Sequence, residues 1–224
     1  MNDLHTLLPL AVGMLLSPLP IVAIVAIVLA PRGRTSAPVF TGTFTLVAFA
    51  VVGLGAAGAA RAAESTGPDA RTVSLILAMV LGVGFTVFAI ASWLSRPKDG
   101  KPATAPKWLA AIDGVTPLSA AGLGLGMAVM NTKNIPLELK AGAVIGEAHL
   151  PSLAAVGLCV AVAVAGSVLL IAPALVELSG GTRVRSALQT LKSQLITHNA
   201  AMMTVLFAIL AANELAQVIH RLAA

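Results

Sequence analysis

Two short stretches of this chain set prolines and hydrogen-bonding side chains into otherwise apolar sequence. They are Ser17-Pro18-Leu19-Pro20 and Asn131-Thr132-Lys133-Asn134-Ile135-Pro136. A proline inside a helix has no N–H to give and clashes with the carbonyl four residues earlier. Pro18 and Pro20 therefore free the carbonyls of Met14 and Leu16, and Pro136 frees that of Thr132. An interrupted helix also presents a new N-terminus, here near Pro20 and near Asn134, with Asn134 as its N-cap. The N–H groups and dipole of such an end favour an anion. Lys133 adds a full positive charge at the same depth. A Lys at the centre of a bilayer helix costs about 2.5–3.5 kcal/mol on insertion scales, so it needs a partner, a wet cavity or an anionic ligand. The pattern predicts a substrate site for an anionic group, lined by Ser17, Pro18, Pro20, Asn131, Thr132, Lys133 and Asn134.

Two carboxylates are candidates for proton coupling. Glu138 follows Asn131 and Asn134 at i+7 and i+4, so a continuous helix puts all three on one face, with Glu138 about 10 Å beyond Asn131. Either Glu138 pairs with Lys133 or Lys140, or it carries a transported proton. Glu214 either lies near the outer interface or shares that role. No metal site and no cofactor is expected. Cys159 stands alone and reads as a small buried apolar residue. A nucleotide-binding P-loop, a zinc-protease His pair and a serine-hydrolase elbow are all absent, so the chain is expected not to be an enzyme.

The elements that must hold these residues follow from the charge distribution. The chain has 224 residues, 58% hydrophobic and 10% charged, with net charge +5. A soluble domain carries about 25% charged residues. Residues 4–31, 35–60, 72–95, 114–132, 148–176 and 193–213 contain no Asp, Glu, Lys or Arg. A bilayer-spanning helix needs about 20 largely apolar residues. These runs exclude a soluble enzyme, a nucleic-acid binder and a secreted disulfide scaffold. The first run has no Lys or Arg before it and exceeds the apolar core of a signal peptide, so it is expected to stay as a span. The expected fold is an all-α integral membrane protein with spans at 4–30, 36–60, 71–94, 116–146, 150–177 and 195–220.

Loops one-two, three-four and five-six carry nine Lys and Arg, against four on the other side. The positive-inside rule makes those loops cytoplasmic and puts both termini outside. Trp93 and Trp108 flank loop three-four as interfacial anchors would. Residues 1–94 form a first three-helix repeat, 95–115 a cytoplasmic linker and 116–224 a second repeat. An odd number of spans per half makes the repeats inverted. Spans one and four support this: each reads Gly-Met, then apolar residues, then a polar, proline-bearing break near the bilayer midplane. Residues 182–195 place Val184, Leu188, Leu191 and Leu195 at helical spacing. They form either an interfacial amphipathic helix or an early extension of span six. Glycines in spans two, three and four (Gly53, Gly55, Gly58, Gly82, Gly84, Gly122, Gly124 and Gly126) permit close helix approach.

This arrangement resembles the LysE superfamily of exporters. The interruption at 17–20 and Asn131-Thr132-Lys133-Asn134 carry the match. Within it the chain is most similar to the actinobacterial GAP or Sap branch, named for addressing glycopeptidolipid and sulfolipid to the cell surface. The second-half motif of that branch is close to Asn-Pro-Lys-Asn, and Thr132 departs from it. The redox branch needs two membrane cysteines, and metal-exporting branches carry intramembrane His and Asp sets absent here. The resemblance implies export across the plasma membrane of a lipid or amphiphilic substrate. The function expected is a secondary transporter for a small anionic, zwitterionic or lipid-linked metabolite; the alternative is a non-transporting membrane assembly factor for surface lipid export. Expected partners are membrane lipid and that substrate, not nucleic acid, and a homodimer stays open.

Overall fold

The computed structural model describes residues 4–64, 69–96, 109, 112, 114–131, 133–177 and 182–223. Among them all regular structure is helical. A 3₁₀ turn, Leu4–Thr6, leads into α1 (Leu7–Leu15), and α2 (Pro18–Leu29), α3 (Gly33–Glu64) and α4 (Asp69–Leu94) follow. The second half holds α5 (Pro117–Val129), α6 (Asn134–Glu147), α7 (Ser152–Glu177) and α8 (Thr182–Ala223).

Every expected span contains helix, and the two predicted interruptions are real breaks. Ser17, restrained by the proline that follows it, is extended at φ −113°, ψ 90°. Helices α1 and α2 meet there at 54°. Pro18 and Pro20 fall in the first turn of α2 and Pro136 in the first turn of α6, where a missing N–H costs no helical bond. Helix α5 starts cleanly behind Pro117: Thr116 Oγ1 accepts from Ser119 N at 3.2 Å, and Ser119 Oγ accepts from Thr116 N at 2.8 Å.

Among the described residues, Gly33–Ala60, Ser152–Val176 and Ser186–Ala216 are each long and apolar enough to cross a membrane alone, and α1 with α2 makes a fourth crossing if counted as one bent span. Helices α5 and α6 are each too short to cross alone, at 13 and 14 residues. The chain is a membrane-embedded helical protein. Residues 182–195 belong to the uninterrupted 42-residue helix α8, so the extension is what forms, without a separate interfacial helix. Of the expected linker, 97–108, 110, 111 and 113 lie outside the described residues, Trp108 among them. Ile112 and Val115 pack into the core. Trp93 lies under the Arg96 guanidinium, 3.5 Å from the ring centroid.

Helix α2 is apolar all round and buried from Ile21 to Val28, which makes it a central element. It forms one core cluster with Phe40, Phe44, Ala120 and Leu170. A second cluster gathers Leu7 and Met14 of α1, Leu137 and Ile145 of α6, Val52, Phe85 and Phe207. Helix α3 packs along both α5 and α6, α7 along both α1 and α2, and α4 along α8. Stacked rings, Phe85 and Phe88 on Phe207, tie α4 to α8.

The closest backbone approach is between α3 and the α5–α6 pair, and glycine makes it possible. A Cβ at Gly142 would overlap Val52 O and come 2.7 Å from Ala56 N; Gly146 and Gly55 are as tightly faced, by Ala56 O and Leu139 O. Gly124 faces Phe40 O. Gly142 and Gly146 fell outside the glycines singled out from sequence. Conversely Gly53, Gly58, Gly84, Gly122 and Gly126 meet nothing within 4 Å. Gly142→Ala is expected to push α6 off α3 and cost about 1–3 kcal/mol. Gly53→Ala should be neutral or gain up to about 1 kcal/mol from helix propensity. Melting the two variants in one detergent checks the contrast, and equal melting temperatures would contradict it.

Candidate functional site

The two breaks face each other. The α1 break leaves carbonyls without partners, and the α5–α6 break supplies the donors. Ser17 N turns to Leu15 O at 2.9 Å and so deserts Gly13 O. Pro18 has no N–H for Met14 O. Lys133 Nζ, from the residue before α6, donates to Gly13 O at 2.8 Å, to Asn134 Oδ1 at 2.6 Å and, at 3.5 Å, toward Met14 O. Asn134 Nδ2 donates to Met14 O at 3.3 Å. Ser17 Oγ donates to Met14 O at 3.0 Å or Asn134 Oδ1 at 3.2 Å, and accepts from Asn131 Nδ2 at 3.2 Å. Lys133 is only 2% exposed, and its three N–H groups are all used.

The structure thus brings Ser17, Asn131, Lys133 and Asn134 together. Pro18 and Pro20 are buried in the first turn of α2 behind them. Thr132 lies outside the described residues. Three sequence expectations change. Asn134 is the first helical residue of α6, and the N-cap position belongs to Lys133. Asn131 lies outside both α5 and α6, so it does not share a helix face with Glu138. Met14 O was expected to need water or ligand, yet side chains of the opposite half satisfy it, and they satisfy Gly13 O as well. A cation on the C-terminal carbonyls of α1 is also the favourable sign for that helix end.

The half-helix N-termini offer little to an anion in this conformation. Proline removes two of the first three N–H groups of α2, and Ile21 N bonds Ser17 O. At α6, Asn134 N and Ile135 N both bond Asn131 O, and Pro136 has none.

Glu138 is buried on α6 in the field of Lys133. Among the described residues no hydrogen bond or ion pair reaches its carboxylate. Glu214 of α8 is ion-paired with Lys140 of α6 at 2.6 Å. Sequence offered Lys140 to Glu138 instead. Nothing in a single chain's local pattern joins positions 74 residues apart.

A family model described as Sap, sulfolipid-1-addressing protein, matches residues 7–220, which include both breaks and all clasp residues. The chain belongs to the Sap family. No curated protein and no solved structure matches it. The Sap branch inferred from residues 17–20 and 131–134 is therefore the right one. In this Sap-family chain the two helix breaks are joined by a saturated polar clasp.

Proposed function

We propose that this Sap-family chain is a secondary transporter of the LysE type that exports an anionic, zwitterionic or lipid-linked metabolite across the plasma membrane. One observation carries the reading: a cluster of buried polar side chains forms a clasp joining the two halves at their helix breaks. In this reading the clasp is the closed gate. On opening, Lys133, Asn131 and Asn134 exchange backbone carbonyls for the anionic group of the substrate.

Several features support two inverted repeats. Exchanging α1–α2 with α5–α6, α3 with α7 and α4 with α8 maps the packing of α3 on α5 and α6 onto that of α7 on α1 and α2, and the α3–α7 and α4–α8 packings onto themselves, while the packing of α2 on α8 has no counterpart of similar extent. Pro20 and Pro136 both occupy the third position of a second half-helix. The family description supports a lipid cargo, a sulfolipid being an anionic amphiphile. Both termini outside, a cytoplasmic linker and no enzymatic activity complete the proposal. Glu138, buried beside the clasp, is the proposed proton carrier; Glu214 is the second candidate.

The saturation of the clasp favours one rival, a non-transporting assembly factor for surface lipid export, in which Lys133 is a permanent brace. Flux of a fluorescent sulfated glycolipid in proteoliposomes separates the two. A transporter should move the probe, with a one-unit pH gradient worth about 1.4 kcal/mol per proton, or about tenfold accumulation. Glu138→Gln should abolish that gradient dependence and leave probe exchange. Gradient-dependent flux unchanged in Glu138→Gln removes Glu138 from the role. No flux from the wild type under any gradient establishes the assembly reading instead.

A further inference from the structure

The one packing without a counterpart points to a second conformation. Helix α8 lies over the α1–α2 break, where Leu16 and Pro18 face Ala201, Met202, Val205 and Ile209 across a cleft of about 390 Å³. The matching cover over the α5–α6 break would come from α4. Among the described residues α4 packs on α8 and makes no comparable packing on α6. The second break is accordingly bare: Met130, the first residue past α5, is 81% exposed, whereas Ser17 at the covered break is 5% exposed.

The residues that would meet at the bare break follow from the packing already formed. Two approaches between α4 and α8, Gly82 on Glu214 and Phe88 on Phe207, become each other when α4 residues answer to α8 residues about 125 further on. Val80 then answers to Val205 and Gly84 to Ile209, both in the wall of the cleft. Leu16, the first residue past α1, answers to Met130. Val80 is 62% exposed, and a Cβ at Gly84, or at Gly126 one turn before Met130, meets nothing within 4 Å. Small residues of this kind let membrane helices approach closely, and here no helix has approached.

The contacts also say what moves. Phe85 and Phe88 stack on Phe207, so α4 and α8 hold together as a pair. The cleft over the α1–α2 break is walled by apolar side chains except for His198. Apolar helix contacts in a bilayer gain little over contacts with lipid tails, so this cover lifts at small cost. Glu214, beside Gly82 of α4, reaches Lys140 of α6 at 2.6 Å, so a single side chain bridges from beside α4 to α6.

We infer that α4 and α8 rock as one body between the observed state, with α8 over the α1–α2 break, and a second state in which α8 leaves that break and α4 covers the other, Val80 and Gly84 lying on Met130. The inference rests on the inverted-repeat exporter reading and gives it a moving part, because the clasp is uncovered at one break as it is covered at the other.

Crosslinking in proteoliposomes tests it. The full chain with Cys159→Ala carries either Leu16→Cys and Val205→Cys or Val80→Cys and Met130→Cys, and is treated with a short lipid-soluble bismaleimide. Both pairs should crosslink. A one-unit pH gradient should move the two yields in opposite directions, by up to about tenfold for one coupled proton. Absence of the Val80–Met130 product under every gradient, while each of these cysteines alone still reacts with a lipid-soluble maleimide and the Leu16–Val205 product forms, overturns the proposal. Yields that rise and fall together overturn it as well. Flux of the sulfated glycolipid probe is read on the same samples. Opposed yields without flux retire the exporter reading alone, and flux without the Val80–Met130 product retires the rocking alone.

Discussion

Lys133→Met is expected to lower the stability of this protein by about 2 kcal/mol, and Pro18→Ala in the same chain is expected to restore part of it. The first figure is set by which acceptors are orphaned. Gly13 O loses its donor, and Asn134 Oδ1 is left to compete with Met14 O for the single Ser17 hydroxyl proton. Met14 O keeps Asn134 Nδ2 in either case. A buried acceptor left unpaired costs about 1–3 kcal/mol. Hydrogen bonds between membrane helices average only about 0.6 kcal/mol, because the separated helices find other partners. That discount does not apply to carbonyls stranded by a helix break, which a lone α1–α2 segment cannot satisfy either. The second figure follows from the cause of the break. Replacing Pro18 by alanine supplies an N–H for Met14 O and lifts the restriction that a proline places on Ser17. Thermal melting of the single and double variants in one detergent measures both effects. Sequence alone led to the opposite expectation, that Lys133→Met costs substrate binding far more than folding. Wild-type stability with lost substrate affinity would return Lys133 to the ligand site and dissolve the clasp.

The contrast marks what the sequence could carry. Pro18, Pro20 and Pro136 announce breaks because their geometry is local: no partner is needed to know that a carbonyl four residues back loses its donor. The charge-free runs likewise announce the helices, since hydrocarbon tolerates little else. What answers a stranded carbonyl is a long-range matter. Lys133 and Gly13 are 120 residues apart, and an ammonium at mid-bilayer looks the same whether it awaits an anion or caps a helix end. Glycine shows the same division. Gly53 and Gly142 are equivalent as letters, yet one faces open space and the other faces the backbone of Val52. The difference is the azimuth of a neighbouring helix, which no local pattern encodes. Helix α8 adds a third case: residues 182–195 fitted an interfacial helix as well as an extension of span six, but nothing there interrupts the backbone ladder, and the helix runs on.

The pair Lys140–Glu214 should respond asymmetrically to removal of its members. The carboxylate is 2% exposed and the Lys side chain 24% exposed. Lys140→Met strands a buried negative charge, and breaking a buried pair in that way costs about 3–5 kcal/mol. Glu214→Gln leaves an ammonium whose stem can carry it toward water, so the loss should be nearer the roughly 1 kcal/mol of an exposed pair. The double variant Lys140→Met/Glu214→Gln should recover most of the loss, because an apolar or neutral pair of similar volume often replaces a buried ion pair at little cost. Melting temperatures of the three variants test the order, and equal losses in the two single variants would contradict it. The same set bears on transport, because this contact ties α6, which carries Lys133 at its start, to α8. Glu214→Gln, if only an anchor is lost, should slow flux and leave its dependence on the pH gradient intact. Loss of gradient dependence at unchanged stability would mean that Glu214 releases Lys140 during the cycle and takes up the proton itself, which would displace Glu138 from that role.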